Sequence, residues 1–414
     1  MRYSRRRMLR LLGTSLGGLA AAPALFQRAL AAGQARTGKV LVVIFQRGAA
    51  DGLSIVPPYA DGGYARLRPT LALSAPGSGE NAALRLDDRF GLHPRLSPLL
   101  PWFERRSLAV VHGVGSPHST RSHFDAQDFL ESGTPGVKAT SDGWLNRVLQ
   151  TAGGTNNALR AVAVQPQLPR LLRGAAAATS FDGLDRFVLP GGAKRSGLSQ
   201  GFDELYQAAL DQALRSTGEA TFDALERVDR VRKEQRAPQN EVRYPRSPLG
   251  KRLSDIARLI HGEVGVQLAV TECGGWDTHI AQGTAAKGAL ANRLEDLGLS
   301  LGAFAQDLGA RMDDVCLVTL TEFGRAVQEN GNGGTDHGTG SVMLVLGGSV
   351  DGGRVFERWK PLTAENLFEG RDLPATIDYR EVLAALLRGH LGLTHLKAVF
   401  PGYALPEQRL EIIA

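Results

Sequence analysis

The sequence predicts an α/β fold, with a mainly parallel sheet between helices on both faces in a three-layer arrangement. Six short apolar runs rich in β-branched residues recur, as is typical of strands buried on both faces of a parallel sheet. Helical patterns lie between them, and this alternation favours right-handed crossovers within one sheet. The predicted strands are Val40–Phe45, Leu108–His112, Leu159–Val164, Val266–Val270, Val315–Leu320 and Val342–Leu346.

The helical stretches and two irregular regions complete the predicted organisation. The predicted helices are Ser122–Glu131, Asp142–Gln150, Phe202–Arg236, Leu249–Ile260, Ala285–Ala310 and Tyr379–Leu391. Residues 57–97 are rich in Pro, Gly and Arg without clear periodicity, and residues 165–236 combine a loop-like segment with a long charged helix. We interpret both regions as loop or cap insertions in one large domain over residues 32–414, a length that can bury a full core.

The N-terminus has the features of a twin-arginine export signal. Ser4–Arg10 contains the arginine pair followed by Met, Leu and Arg, Leu11–Leu25 is weakly apolar, and Ala29-Leu30-Ala31 offers a small-x-small cleavage site. The apolar segment is too short and glycine-rich to cross about 30 Å of hydrocarbon. We therefore predict a cleaved signal over residues 1–31, a twin-arginine translocase as export partner, a periplasmic location and no transmembrane segment in the mature chain.

The signal also accounts for the basic charge of the chain. Residues 1–31 contain six arginines and no acidic residue, so the formal charge of +6 falls to zero in the mature protein. The high pI of about 9.5 therefore belongs to the signal and gives no argument for nucleic-acid binding. Two cysteines in so long an exported chain exclude a disulfide-dense scaffold.

Three glycine-rich clusters between residues 274 and 340 indicate a polar site. They are Gly274–His279, Leu320–Arg325 and Gly334–Gly340, and each contains carboxylate or imidazole groups. Mixed oxygen and imidazole ligands suit a borderline divalent ion, so we expect Zn²⁺ or Mn²⁺. Glycine lets the backbone turn sharply at strand ends, which is where open α/β sheets bind ligands.

The individual residues of these clusters suggest roles. Asp277 and His279 are two apart, so in an extended segment they face the same side and could hold one ion. Glu322 could be an oxygen ligand and Arg325 an oxyanion clamp, although the two could also form a simple salt bridge.

The third cluster lies in a loop. Residues 330–340, rich in Asn, Gly and Thr, contain Asp336 and His337 and directly precede a predicted strand. Such a loop is too flexible to serve stability, which favours a functional role.

Two earlier strand ends also contain candidate groups. Asp51 beside Gly52 follows the first strand, as a metal ligand or as part of an ordinary Asp-Gly turn. Ser122 stands at a predicted helix start, where it could cap the helix with Asp125 or act as a nucleophile. The same helix terminus would stabilise an anion, and Arg121 lies next to it.

Four segments together make the chain resemble a known family. Ser-His-Phe, Trp-Asp-Thr-His, Thr-Glu-Phe-Gly-Arg and Thr-Asp-His-Gly follow in this order after a twin-arginine signal, as in the family labelled domain-of-unknown-function 1501. That family looks like a branch of the alkaline phosphatase and sulfatase superfamily, so the resemblance implies that superfamily's fold and a one- or two-metal site. Where the superfamily has an Asp-His pair, this sequence has Glu322-Phe323.

Two functional hypotheses follow. The first is an exported metal-dependent hydrolase of phosphate or sulfate esters, acting on a small anionic ester. The second is a non-catalytic envelope binding or assembly protein with an eroded site on the same fold. The candidate catalytic residues are Ser122, Arg325 and Arg121; the candidate metal ligands are Asp51, Asp277, His279, Glu322 and His337; the further candidates are Ser119, His123 and Asp336.

Overall fold

A computed structural model describes residues 38–77, 79–153, 157, 159–186, 226–234, 236–407 and 409–414. The predicted signal over residues 1–31 and much of the predicted helix Phe202–Arg236 lie outside the described residues.

Nine of the strands in the described part of the chain form one sheet, in the order β12-β4-β11-β8-β1-β7-β5-β6, with β13 also paired to β4. β2 pairs with β3 and β9 with β10 in two small separate sheets. The strands are β1 (Val40–Arg47), β2 (Leu84–Arg85), β3 (Gly91–Leu92), β4 (Leu108–Gly115), β5 (Ala161–Val164), β6 (Thr179–Phe181), β7 (Leu268–Gly274), β8 (Val315–Leu320), β9 (Arg325–Glu329), β10 (Thr335–His337), β11 (Ser341–Gly347), β12 (Val355–Phe356) and β13 (Ile377–Asp378).

The direction of the strands determines where their polar ends meet. β1 runs parallel to both β7 and β8, and only β11 is antiparallel to its neighbours β4 and β8. The carboxyl ends of β1, β4, β7 and β8 therefore lie at one edge of the sheet, and β11 begins there. The segments that follow these strands can meet at that edge, as expected for an open α/β sheet.

Helices cover both faces of this sheet. They are α1 (Gly52–Ile55), α2 (Gly62–Leu67), α3 (Leu100–Glu104), α4 (His123–Ser132), α5 (Trp144–Ala152), α6 (Pro248–His261), α7 (Ala289–Leu308), α8 (Tyr379–Gly389) and α9 (Leu396–Val399), and residues 226–234 are also helical. Along β1, Val42 and Ile44 pack into one core with α6 and α7, whereas Leu41 and Val43 pack into a second core with α5 and α8. Strands buried on both faces require apolar residues at successive positions, which is the pattern of the predicted runs.

The predicted fold class is confirmed. The six predicted strands appear as β1, β4, β5, β7, β8 and β11, and five of the six predicted helices appear as α4 to α8, with bounds shifted by a few residues. Cys273 in β7 and Cys316 in β8 are both free, and they lie at opposite ends of strands that flank β1 on either side. Among the described helices, none has the length and hydropathy needed to cross a bilayer.

The segment predicted as a polar loop over residues 330–340 is partly a hairpin. β9 and β10 pair antiparallel, with His337 opposite Arg325. The side-chain oxygen of Asn330 accepts hydrogen bonds from the backbone N–H groups of Asn332 at 2.9 Å and Gly334 at 3.1 Å, which closes the turn. His337 is therefore fixed on a paired strand.

Candidate metal centre

Close contact between backbone segments forms the floor of the site. Gly48, after β1, has a φ of +118°, and a Cβ there would lie 2.7 Å from the backbone nitrogen of Asp277. A Cβ on Gly338 would lie 2.4 Å from the backbone of Arg325. Glycine is required at both positions. A side chain on Gly48 would separate the segments that follow β1 and β7, and one on Gly338 would separate the end of β10 from the start of β9.

Three side chains at this edge form a group suited to one metal ion. The ligand atoms of His123, Asp277 and His337 all lie within 4.8 Å of one another. The Nε2 atoms of His123 and His337 are 3.0 Å apart. Asp277 places Oδ1 3.2 Å from His337 Nε2 and Oδ2 3.6 Å from His123 Nε2.

His279 completes the cluster from the other side of His337. Its Nε2 atom lies 2.9 Å from His337 Nε2 and 3.1 Å from Asp277 Oδ1. The fold thus brings the candidate ligands Asp277, His279 and His337 together, and His123 at the start of α4 lies against them. Sequence reasoning ranked His123 below its neighbour Ser122, although the imidazole is the group that reaches the cluster.

The outer nitrogen of each imidazole faces a hydrogen-bond acceptor, which determines its tautomer. His123 donates from Nδ1 to Glu322 Oε1 at 2.8 Å. His337 donates from Nδ1 to the backbone carbonyl of Arg121 at 2.9 Å. Because carboxylate and carbonyl oxygens can only accept, each Nδ1 carries the proton, and the Nε2 of each neutral ring presents a lone pair.

The same arrangement holds for His279. Its Nδ1 donates to Asp336 Oδ1 at 3.3 Å, and Asn330 donates to that oxygen at 3.1 Å and to the His279 carbonyl at 2.9 Å. Carboxylate or carbonyl partners on the outer nitrogen are the usual supports of metal-binding histidines. Asp336 and Glu322 therefore support ligands from behind.

The cluster fits a divalent cation. Two nitrogen lone pairs that face each other at 3.0 Å repel unless a proton or a cation lies between them. In a tetrahedral site with metal–nitrogen bonds of about 2.0–2.1 Å, neighbouring ligand atoms lie about 3.3 Å apart. The separations here, from 2.9 to 3.6 Å, bracket that value.

Hydrogen bonds and a neighbouring guanidinium keep the carboxyl groups of Glu322 and Asp277 ionised. Burial opposes ionisation of Glu322, but hydrogen bonds from His123, Gln127 and Gly48 outweigh it, so its pKa lies below the usual range. Burial likewise opposes ionisation of Asp277, and the guanidinium of Arg325 overcomes it, so that pKa is also lowered. The hydrogen bond to Glu322 raises the pKa of His123.

Arg325 is a structural clamp and does not face open space. Its buried guanidinium donates to the backbone carbonyls of Ala49 at 2.8 Å, Thr335 at 2.9 Å and Gly48 at 2.7 Å, and it also contacts the Asp277 carboxylate. These bonds occupy most of its donors, which corrects the hypothesis that it clamps a substrate oxyanion. It holds three segments together and orients Asp277.

Arg121 is also committed to partners within the chain. Its side chain donates to Asp372 Oδ2 at 2.8 and 2.6 Å and to Glu369 Oε2 at 2.7 Å. The expected anion-binding role is replaced by ion pairs with Asp372 and Glu369. Its backbone carbonyl is the atom that serves the site, through His337.

Asp51 lies outside the group of ligand atoms. It is fully buried, and its Oδ2 accepts from Arg68 at 2.7 Å, Ser54 at 2.7 Å and Gln282 at 2.9 Å. The hypothesis that Asp51 is a metal ligand is therefore corrected, because Arg68 neutralises its charge within the protein. The hypothesis that Glu322 is a metal ligand is also corrected, because its Oε1 accepts a hydrogen bond from His123 Nδ1 at 2.8 Å.

The hydroxyl candidates lie at the start of α4. Ser122 is exposed, stands at the N-cap position, and makes no capping hydrogen bond with its side chain. The capping interpretation of Ser122 therefore does not hold, and its hydroxyl is free of that role. Ser119 is exposed three residues earlier.

Sequence reasoning gave no role to Gln282, Thr278 and Thr335. Thr278 and Thr335 both donate to Gln282 Oε1, at 2.8 and 3.1 Å. In the sequence, this contact is indicated only by the position of Thr278 between the candidate ligands Asp277 and His279.

Two solved structures are similar to the chain at low sequence identity. No curated protein matches the chain. Among solved structures, the C-terminal periplasmic domain of EcEptC from Escherichia coli, a complex with Zn, is similar with a TM-score of 0.37 and 10% identity, covering 75% of this chain and 73% of that one. The lipoteichoic acid synthase LtaP from Listeria monocytogenes is similar with a TM-score of 0.31 and 10% identity, covering 78% and 67%.

The family model described as "Protein of unknown function (DUF1501)" matches residues 107–400, which include α4 and the cluster ligands His123, Asp277, His279 and His337. The chain belongs to this family.

Proposed function

We propose that this protein is an exported metal-dependent hydrolase of phosphate or sulfate esters. The observation that carries the proposal is the convergence of the Nε2 atoms of His123 and His337 with the Asp277 carboxylate, beside which His279 Nε2 also lies, with every outer nitrogen donating to an acceptor. A cluster arranged only for stability would gain nothing from directing lone pairs at one another.

His123, Asp277 and His337 would hold the ion, with His279 as a further ligand, and zinc or manganese suits this mixture of donors. When bound, such an ion polarises an ester and lowers the pKa of a hydroxyl or water. Glu322 and Asp336 keep the proton on the outer nitrogen of their histidines, so the inner nitrogens stay free to bind.

Ser122 is the proposed nucleophile. It directly precedes His123, and its side chain makes no hydrogen bond to the first N–H groups of α4. Those N–H groups and the helix dipole would stabilise the non-bridging oxygens of a bound ester. The Ser122 oxygen would attack phosphorus or sulfur in line, and the alcohol of the ester would leave.

An aryl ester is the sharpest probe. Phe124 directly follows His123 and is 90% exposed, and Ile280 directly follows His279 and is 69% exposed. Exposed apolar side chains beside a polar centre would contact the apolar part of a ligand.

One observation favours the alternative of a non-catalytic envelope protein. Arg325 and Arg121 are both occupied by partners within the chain, so neither guanidinium is free to hold an anionic substrate. In that case the same metal centre would serve binding or assembly.

Turnover by Ser122→Ala, with Ser119→Ala as the matched control, separates these functions. We expect metal-loaded wild type to hydrolyse an aryl phosphate or an aryl sulfate, Ser122→Ala to lose nearly all turnover while keeping its metal, and Ser119→Ala to stay active. Because the Ser122 side chain makes no capping bond, its loss should cost less stability than the roughly 0.5–2 kcal/mol of a capping residue. Metal-loaded wild type that cleaves neither ester class would favour the binding function.

Export is proposed from the N-terminal sequence Ser4–Arg10. The twin-arginine pathway moves folded proteins, which suits loading of a metal in the cytoplasm. Replacing Arg5 and Arg6 together by Lys should keep the precursor in the cytoplasm, as measured by fractionation. A mature form in the periplasm of that double variant would contradict the proposed route.

A further inference from the structure

Gln282 connects the two chain segments that contain His279 and His337. Its side-chain Oε1 accepts from the hydroxyl of Thr278 at 2.8 Å and from that of Thr335 at 3.1 Å. Thr278 lies between Asp277 and His279, and Thr335 lies two residues before His337. All three residues of this contact are buried, so each hydroxyl depends on the amide for its hydrogen bond.

The opposite end of the amide determines its orientation. Gln282 Nε2 donates to Asp51 Oδ2 at 2.9 Å and to Ser54 Oγ at 3.1 Å. A carboxylate can only accept, and Asp51 is ionised because Arg68 lies 2.7 Å from it. The NH2 group must therefore face Asp51, which directs the carbonyl oxygen at the two threonines.

Arg68 also anchors this network to the hairpin that contains His337. Its Nε donates to the carbonyl of Val327 at 2.7 Å, and its Nη2 to that of Ala326 at 2.8 Å. Both carbonyls belong to β9, which pairs with β10. A continuous set of buried hydrogen bonds thus runs from β9 through Arg68, Asp51 and Gln282 to the residues beside the cluster.

We propose that Gln282 is a positioning residue that sets the separation of His279 and His337, and that it does so for the metal centre of the proposed function. The hydrogen bond that orients His123 does not involve Gln282, because Glu322 accepts it and Gln127 and Gly48 hold Glu322. Loss of Gln282 therefore disturbs two of the three imidazoles and leaves the third in place. Replacing a residue that only filled space would not disturb His279 and His337 while leaving the hydrogen bond between His123 and Glu322 intact.

The first measurement uses metal-free protein. Long-range ¹H–¹⁵N spectra of the imidazoles report which nitrogen carries the proton, and wild type should show the Nδ1–H form for neutral His123, His279 and His337. In Gln282→Met we expect altered spectra for His279 and His337, while His123 keeps its Nδ1–H form through Glu322. Gln165→Met, which alters another buried glutamine whose amide donates to the carbonyl of Gln167, should leave all three unchanged.

The second measurement is Co²⁺ affinity by titration. Outer-shell supports typically contribute 10- to 100-fold to metal affinity, so we expect Gln282→Met to bind about 10- to 100-fold more weakly than wild type. Gln165→Met should bind as wild type does. If wild type binds no Co²⁺, the proposed function fails, while the imidazole spectra still decide the role of Gln282.

Thr278→Val and Thr335→Val provide the same test if Gln282→Met does not fold. Each removes one hydroxyl at nearly constant volume, and we expect each to change mainly the spectrum of the histidine on its own segment. Unchanged His279 and His337 spectra in every variant that folds would overturn the positioning role.

Discussion

The imidazole cluster and the buried Asp51 network differ in how their charges are satisfied. Asp51 is neutralised by Arg68 and accepts from Gln282 in a fully buried setting. Around Asp277, by contrast, the imidazole Nε2 atoms of His279 and His337 face each other at 2.9 Å. The first region holds its charge in an internal ion pair, whereas the facing nitrogens of the second need a proton or a cation between them.

This difference separates a structural ion pair from a ligand site. Both regions have an acidic residue in a glycine-containing segment that follows the carboxyl end of a buried strand, so their sequences look alike. What distinguishes them is what surrounds the carboxylate: a buried guanidinium pairs with Asp51, whereas imidazole nitrogens converge beside Asp277. The first prediction tests the structural region, the next two test the cluster, and the last returns to the Asp51 pair.

The largest expected effect is on stability, from Arg68→Met. This change leaves the buried carboxylate of Asp51 without its counter-charge, and breaking a buried pair in this way costs about 3–5 kcal/mol. Urea unfolding of the metal-free protein measures it. Arg85→Met is the matched control, because Arg85 pairs with Asp88 on the surface and its loss should not measurably change unfolding. Equal effects of the two variants would show that the Asp51–Arg68 pair contributes no more stability than a surface pair.

Asp277→Asn should affect metal binding and spare stability. Asp277 is partly exposed, and Arg325 keeps its four backbone carbonyl partners without it, so the metal-free protein should unfold nearly as wild type does. Loss of a direct ligand should weaken Co²⁺ binding by more than the roughly 100-fold upper range of outer-shell changes. Titration and urea unfolding on one preparation measure both. Wild-type affinity in this variant would exclude Asp277 as a ligand.

Glu322→Gln should have a smaller effect on the same centre. The amide oxygen can still accept from His123 Nδ1, but the charge that makes the imidazole a better ligand is lost, so we expect affinity to fall about 10- to 100-fold. The effect should vanish in His123→Ala, because Glu322 acts through that ring. Additive losses in the double variant would instead indicate that Glu322 binds the metal itself.

Much of the fold could be predicted because the strands are buried on both faces. Runs such as Val315–Leu320 must be continuously apolar when helices cover both sides of a sheet, and this run matches β8 in its bounds. β10 could not be predicted, because Thr335–His337 is short and polar and its position depends on Arg325 holding the Thr335 carbonyl.

The site could be predicted in part. Asp277, His279 and His337 are recognisable because carboxylate and imidazole groups follow strand ends that must share one edge. The role of Asp51 could not be inferred, because its partner Arg68 lies in a segment without periodicity. The role of Glu322 could not be inferred either, because the sequence does not show that its carboxylate accepts a hydrogen bond from His123.

The smallest expected effect is a pH dependence of the Asp51 pair. Burial opposes ionisation of Asp51, but Arg68 outweighs it and lowers the pKa of the carboxyl below its usual 3.8. A carboxyl with a depressed folded pKa contributes stability that is complete above the unfolded value and is lost as pH falls through the folded value. The difference in unfolding free energy between wild type and Asp51→Asn should therefore be constant near pH 6 and shrink only below about pH 3.8. A difference that narrows already at pH 5 would contradict an ionised, Arg68-paired carboxylate.

The most direct test of the metal centre is a crystal structure of protein purified without affinity resin and supplied with zinc, with diffraction data collected on both sides of the zinc absorption edge. We predict one strong anomalous peak within about 2.0–2.2 Å of His123 Nε2, His337 Nε2 and an Asp277 carboxylate oxygen. Glu322 and Asp51 should lie outside that first shell. Absence of a peak at this point, with the three imidazoles still packed together, would contradict the account.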